Sequence, residues 1–303
     1  MRRFLALSRS AHGLLDVAMP GFVALLWLGH FPSWPVLALC LGAAVAGYTA
    51  IYALNDIMGV SDDREKVDGG LIPGYAVEAS AMRYPIAQKL VSVRGALAWF
   101  CFWMAVAVAC IWFLNPLILA ILLAAAALEI LYVRLFKVTW SRTLVSGLVK
   151  SAGPIAAVYA VMERPYLPWL ALMLVWLMLW EVGGQNIPAD WNDIAEDRRV
   201  GASTIPLVFG LPAAGRAVLA LVTGTVAVSL LLPVMSPLSL GWAYAAAALV
   251  TGMLLLLAPA MRLARTLDGR DAARLFDRSS HYPLAMLAIV TFFVILRLSP
   301  NGT

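Results

Sequence analysis

Charge is scarce in this chain. Of 303 residues only 17 are acidic and 22 basic, together 13%, where an average soluble domain carries about 25%. Histidine and cysteine are rarer still, with three of each. Cys40, Cys101 and Cys110 all fall inside apolar runs, which excludes a disulfide framework and any Cys-based metal spacing. What fills the chain instead is apolar: 62% of its residues are hydrophobic, and the mean hydropathy is +0.86. A soluble domain so composed would have nothing with which to cover its surface, so the class is polytopic membrane protein. Its expected surroundings are a lipid bilayer, and no nucleic-acid partner is expected.

Only helices or closed barrels satisfy their backbone inside lipid. Barrel strands alternate apolar and polar residues, whereas 117–128 and 243–250 are apolar without a break, so the fold is expected to be all-α. At about 20 apolar residues per span, the sequence predicts nine helices: 14–30, 34–55, 95–114, 116–132, 143–161, 166–188, 213–235, 238–261 and 283–298. Pro and Gly mark the hairpin breaks between them. The basic start, Met1-Arg-Arg-Phe, reads as a cytoplasmic lead-in to the first span rather than a cleaved signal. With the N-terminus inside, segments 1–13, 56–94, 133–142, 189–212 and 262–282 and the adjoining helix ends hold 19 of the 22 Lys and Arg residues. That asymmetry orients the bundle and sends the C-terminus to the opposite side. One domain over 1–303 is expected, with cap loops at about 56–94 and 189–212.

Both cap loops open with acidic residues. The first reads Asn55-Asp56-Ile-Met-Gly59-Val-Ser-Asp62-Asp63-Arg64-Glu-Lys66, and the second Asn186-Ile-Pro-Ala-Asp190-Trp-Asn192-Asp193-Ile-Ala-Glu196-Asp197-Arg198-Arg199. Helical offsets of three, four and seven share a face, so Asp190, Asp193 and Asp197 form one carboxylate stripe. Asp56 and Asp63 repeat its outer offsets, with Gly59 in the middle place. Such a stripe repels itself unless cations absorb the charge. Mg²⁺ does so readily, because it takes oxygen ligands and is commonly held by carboxylates together with substrate phosphates. Two facing stripes could therefore grip a diphosphate through bridging metals, and Arg64, Lys66, Arg198 and Arg199 could bind its oxygens directly. Read alone, either cluster is equally an ordinary solvated acidic face.

A third segment on the same side, Leu131-Tyr132-Val-Arg134-Leu-Phe-Lys137, reads either as positive-inside residues with an aromatic anchor or as part of a phosphate clamp. Four charges lie within predicted spans: Asp16, Glu129, Lys150 and Glu181. Charge in lipid is expensive, so each is either functional or neutralised by another, Lys150 with a carboxylate being the obvious pair. His12, His30 and His281 read as interfacial.

These residues resemble the UbiA family of intramembrane prenyltransferases. The family's first motif, Asn-Asp-x-x-Asp-x-x-x-Asp, is met by Asn55, Asp56 and Asp63 with Gly59 in place of the middle aspartate. Its second, Asp-x-x-Asp-x-x-x-Asp, is met in full by Asp190, Asp193 and Asp197. Tyr132 to Lys137 is similar to the Tyr-x-x-x-x-Lys stretch between them, and 198–206 to the family's continuation after the second motif. The resemblance implies nine helices around a central cavity capped by the cytoplasmic loops. It further implies that an allylic isoprenoid diphosphate is ionised there and its prenyl group passed to an aromatic or lipid-like acceptor.

By the same resemblance two Mg²⁺ ions are held by Asp56, Asp63, Asp190, Asp193 and Asp197, which with Lys137 carry the catalysis. The diphosphate contacts expected are Asn55, Arg64, Lys66, Tyr132, Arg134, Asn186 and Arg198. Asp62 is a further candidate ligand, but on a continuous helix it lies about 120° from the Asp56 line. It reaches a metal only if the helix breaks near Gly59. The stretch Asp68-Gly-Gly-Leu-Ile-Pro-Gly74 departs from the Asn-Arg-Pro common in quinone-pathway members, so the resemblance carries no acceptor over.

Two other functions fit the composition. A terpene cyclase on the same scaffold would capture the cation within its own chain and release a cyclic product without an acceptor. A cation transporter would need its acids near the bilayer midplane, whereas these clusters sit at helix ends.

Overall fold

The computed structural model describes residues 2–72 and 82–298, and among them all regular structure is helical. Three short helices open the chain, α1 (Arg2–Leu7), α2 (Ser10–Asp16) and α3 (Ala18–Leu28). They are followed by α4 (Trp34–Met58), α5 (Val60–Asp68), α6 (Val93–Trp112), α7 (Pro116–Arg134), α8 (Arg142–Val161) and α9 (Leu167–Trp180). A π-helical turn, Glu181–Asn186, leads into α10 (Ile187–Asn192), α11 (Ile194–Arg199) and α12 (Ile205–Phe209). Then come α13 (Leu211–Ser229), a 3₁₀ turn (Leu232–Met235), α14 (Gly241–Gly252), a second π turn (Met253–Leu257), α15 (Ala258–Thr266) and α16 (Gly269–Leu298).

Eight of the resulting helical runs are long and apolar enough to cross a membrane, and a shorter apolar helix over His12–Leu28 makes a ninth. The predicted all-α, multi-pass architecture is the one found, with two differences at the ends of the chain. The first predicted span is broken at Val17 into α2 and α3. The last begins at Gly269, not at 283.

The late start expected from sequence traces to Pro283. Proline cannot donate to the carbonyl four residues back, which suggests a helix start rather than a helix interior. Here the Ser279 carbonyl is bonded instead by the indole N–H of Trp180 at 3.2 Å. The polar residues before Pro283 are amphipathic rather than loop-like: Ala272, Leu275, Phe276 and Ser279 are buried.

Packing divides the bundle unequally. The solid core, with Phe22, Trp176, Trp180, Tyr244, Tyr282 and Met286, lies among α3, α9, α13, α14 and α16. On the other side α4 packs on α6, α7 on α8, and α3 on both α8 and α16. These leave a cavity of about 820 Å³ between α2, α3, α4, α7, α8 and α16. Lipid tails are as apolar as leucine, so close backbone approach does much of the joining. Gly183 illustrates it: a Cβ there would lie 2.6 Å from Leu221 Cβ. At the end of the bundle away from the acidic clusters, Trp34, Trp112, Phe113, Tyr166 and Trp242 are exposed, as an aromatic belt at a membrane interface would be.

Candidate active site

Each acidic cluster stands where a long helix ends. α4 stops at Met58, Gly59 forms the bend, and α5 continues through Asp62, Asp63 and Lys66. The i→i−4 bonds persist through the bend, from Gly59 N to Asn55 O at 2.8 Å and from Asp63 N to Gly59 O at 3.0 Å. The helix thus kinks without unwinding, and both Asp62 and Asp63 reach the cavity wall. In the second cluster Asp193 leaves helical geometry (φ −97°, ψ 7°) between α10 and α11, yet Asp190, Asp193 and Asp197 all line the same cavity. The π turn just before it adds a residue to one helical circuit, a distortion frequent at functional sites.

The two rows face each other. Lys66 from the first reaches Asp197 of the second at 2.6 Å, and its ammonium lies 4.8 Å from the centre of the Phe136 ring. Arg142, which opens α8, pairs with Asp190 at 2.7 Å and lies over Tyr132 and Phe136 at 4.6 and 4.7 Å. Arg83 pairs with Asp193 at 3.1 Å and with Glu196. Lys137 holds Asp62 at 3.1 Å and Glu65 at 2.6 Å at the rim. Further ties fasten the two caps: Arg199 bonds the Gly69 and Gly70 carbonyls, and Ser203 N bonds Phe136 O at 2.9 Å.

The site residues expected from the sequence separate into two sets. Asn55, Asp62, Asp63, Lys66, Tyr132, Asn186, Asp190, Asp193 and Asp197 line the cavity. Arg64, Arg134 and Arg198 do not; they are exposed, because each follows its neighbouring wall residue by one or two positions and so points to another face of its helix. Asp56 is buried and pairs with Arg9 at 3.7 Å outside the lining. Lys137 is likewise at the rim rather than in the wall. Pro73 and Gly74 of the departing stretch lie outside the described residues.

Sequence reasoning passes over Arg142, Arg83, Tyr84, Arg9 and Phe136. Arg142 reads as one more positive-inside residue, and its burial beside Asp190 comes from tertiary packing. Phe136 carries a weak signal, sharing a helical face with Tyr132 four residues before. His12, expected at the interface, is buried and lines the cavity.

The donor set suits a hard divalent ion. Burial, then the nearby Asp56 carboxylate, pushes the Asp63 pKa up to about 8, despite Lys66 and Arg9. Burial likewise raises Asp197 in spite of Lys66. The rows thus hold more carboxylate than the local cations neutralise well, a deficit that a metal ion removes. The Arg142–Asp190 pair keeps an unused polar atom on each partner: Arg142 Nε and Asp190 Oδ2 are buried without a hydrogen-bond partner among the described residues, as is Asn186 Oδ1. A phosphate oxygen accepting from the Nε–H and a metal ion accepting the carboxylate lone pair are what such atoms fit. Among the described residues no three His, Cys, Asp or Glu side chains converge as a ready-made metal centre; the protein's own cations stand between the carboxylates.

Beyond a second polar level at Glu129, Ser146, Lys150 and Glu181, the cavity is apolar. Its wall on α8 continues from Arg142 through Ala156, Ala157 and Ala160 to Val161, about 28 Å at 1.5 Å per residue. Small side chains there and at Ala43, Ala44 and Gly47 of α4 leave a channel as deep as a bilayer's hydrocarbon layer.

Comparison with known proteins bears on the fold. No curated protein sequence matches the chain. Among solved structures, a UbiA homologue from Aeropyrum pernix K1 in its apo form superposes with a TM-score of 0.69 at 21% identity, covering 95% of this chain and 98% of that one. A UbiA homologue from Archaeoglobus fulgidus bound to GPP and Mg²⁺ gives 0.67 at 15% identity, over 95% and 99%. A structure of digeranylgeranylglyceryl phosphate synthase gives 0.67 at 15%, over 97% and 98%. At such identities the likeness is one of fold. The sequence pattern of the UbiA prenyltransferase family matches residues 17–294, and the chain belongs to that family.

Proposed function

We propose that this protein transfers a prenyl group from an isoprenoid diphosphate to an acceptor within the membrane, in a Mg²⁺-dependent reaction at the head of the cavity. The observation that carries this reading is the joining of two carboxylate rows, through Lys66 and Asp197 at 2.6 Å, over a channel whose deep end is apolar. The Archaeoglobus homologue, bound to GPP and Mg²⁺, supports the substrate class.

Asp63, Asp190, Asp193 and Asp197, with the amide oxygens of Asn55 and Asn186, are the groups that would hold the metal. Bound there, Mg²⁺ supplies positive charge to the departing diphosphate. Lys66 and Arg142 bind phosphate oxygens, Arg142 through the Nε that its partner Asp190 leaves unused. Lys137, at the rim, holds the Asp62 side chain toward the same head. The apolar wall keeps water from the allylic cation, and the ring faces of Tyr132 and Phe136 favour positive charge beside them. The positive-inside bias supports reading this end of the bundle, with the N-terminus, as cytoplasmic.

Purified protein, Mg²⁺ and prenyl diphosphates of graded length, incubated with and without a panel of acceptors, are expected to yield pyrophosphate and a prenylated acceptor by mass spectrometry. Pyrophosphate with a cyclic product and no need of an acceptor would favour the cyclase instead. Absence of diphosphate cleavage with every substrate would overturn the enzymatic reading.

Two further outcomes follow from the walls of the site. Ala157→Trp fills the small-residue channel near its deep end, about 22 Å along α8 from Arg142, so kcat/KM for the longest prenyl diphosphate accepted should fall tenfold or more while the shortest changes less than about threefold. Equal losses at every length would place the tail elsewhere. Gly59→Asp restores the family's middle aspartate. The new Cβ lies 3.1 Å from the Asn55 carbonyl oxygen, which must give by a few tenths of an ångström, and at ordinary distances from Asp63 Oδ2 (3.5 Å) and Val133 Cγ1 (3.7 Å), so the fold should tolerate it with a small shift at the bend. Half-saturation should occur at lower Mg²⁺ with turnover kept within about threefold; a collapse of turnover would mean that the gap itself is needed.

A further inference from the structure

Just under the aspartate rows the cavity wall carries a second polar group set that diphosphate binding does not use. Glu181 opens the π turn, is buried and lines the cavity. Ser146 Oγ donates to its Oε1 at 2.8 Å, but Oε2 is buried with no hydrogen-bond partner among the described residues. Ser146 stands one turn along α8 from Arg142, about 6 Å deeper on the helix axis. One turn further on, Lys150 Nζ bonds Asp16 Oδ2 at 2.6 Å and Tyr52 OH at 2.7 Å. Glu129 accepts from Asn55 across the cavity. Acids at membrane depth are costly and mark pathways or ligands, and a buried carboxylate oxygen without a donor invites one from a bound molecule.

Resting on the prenyl-transfer reading, we infer that Glu181 is the anchor of the acceptor site and that the acceptor is uncharged there, a neutral phenol or alcohol donating its O–H to Glu181 Oε2. The charge around the site decides against an anionic acceptor. Each cation in the cavity wall already has a carboxylate: Lys150 has Asp16, Arg142 has Asp190, Lys66 has Asp197 and Arg9 has Asp56. An arriving diphosphate competes for the nearest of them. Glu129 and Glu181 line the cavity with Lys150 and His12, and Asp16 pairs with Lys150, so a carboxylate on the acceptor would be buried beside like charge with its nearest cation already paired. A neutral hydroxyl meets only the vacant oxygen.

The test uses the full chain in lipid nanodiscs with Mg²⁺, a cleavable prenyl diphosphate, and matched acceptors that differ only in a carboxylate, such as 4-hydroxybenzyl alcohol against 4-hydroxybenzoate. The neutral member is expected to be prenylated with at least tenfold higher kcat/KM. Glu181→Leu should raise the acceptor KM tenfold or more while the dissociation constant of the Mg²⁺–prenyl diphosphate complex, from calorimetry, shifts less than twofold. Preference for the carboxylate, or an acceptor KM left unchanged, overturns the inference. The matched pair on unaltered protein decides between the two acceptor classes even if Glu181→Leu does not fold. Failure to cleave any prenyl diphosphate would defeat the transfer reading itself. Cleavage with the reversed acceptor preference defeats only the assignment of Glu181 and the neutral acceptor.

Discussion

Replacing Asp190 with alanine is expected to lower Mg²⁺-dependent pyrophosphate release roughly a hundredfold or more, the scale seen when a preorganised charge-stabilising group is removed. Asp190 is a buried member of the second row whose Oδ2 has no partner among the described residues, so that oxygen is open to a metal. The variant also strands Arg142, whose burial without a counter-charge costs about 3–5 kcal/mol, and a thermal unfolding measurement must accompany the assay. Asp190→Asn separates the two effects. It keeps a hydrogen-bond acceptor for Arg142 at the same position but lacks the charge, so stability should recover in part while turnover stays low. Full turnover in a folded Asp190→Ala protein would remove the carboxylate from the chemistry.

The second large effect concerns how metal and diphosphate arrive. Four carboxylates of the two rows are held by cations of the chain: Asp62 by Lys137, Asp190 by Arg142, Asp193 by Arg83 and Asp197 by Lys66. A metal entering alone must break these pairs and leave ammonium or guanidinium groups in low dielectric. A diphosphate entering alone would do the converse to the carboxylates. Entering together, they exchange partners and every charge keeps a neighbour. Calorimetry should therefore show each ligand strengthening the other at least tenfold, and by linkage equally in both directions. Arg142→Gln should bind Mg²⁺ more tightly than the unaltered protein when no diphosphate is present, lose most of that mutual strengthening, and raise the KM for prenyl diphosphate more than tenfold. Equal Mg²⁺ affinity with and without pyrophosphate would contradict the exchange.

How far such a site can be read from sequence depends on the range of the forces that build it. The spans are legible because 20 apolar residues in a row are a local property. The aspartate rows are legible because helical offsets alone put Asp190, Asp193 and Asp197 on one face. The kink at Gly59 is foreseeable from glycine and a change of composition, and Asp62 does reach the wall beside Asp63.

Long-range contacts are not legible. Lys150 is a candidate for neutralisation, but only the fold selects Asp16 as its partner. Arg142 and Arg64 look alike in sequence, yet one is buried under two aromatic rings and the other faces outward. The start of α16 is misplaced from sequence because the answer to Pro283 comes from an indole about a hundred positions away in the chain. Glu181 stands out as an intramembrane acid, but that one of its oxygens lacks a donor is visible only in three dimensions.

That indole has a consequence for assembly. The bond from Trp180 to the Ser279 carbonyl ties the helix leading into the second aspartate row to the last helix, beside Gln185, which donates to Phe276 O and accepts from Ser280 Oγ. Sliding one helix past the other by a turn, about 5.4 Å, would strand the carbonyl in hydrocarbon at a cost of several kcal/mol. Leucine ridges alone would permit such slippage between two smooth apolar cylinders. The proline therefore sets the register of the bundle, and through it the height at which Asp190, Asp193 and Asp197 meet the first row.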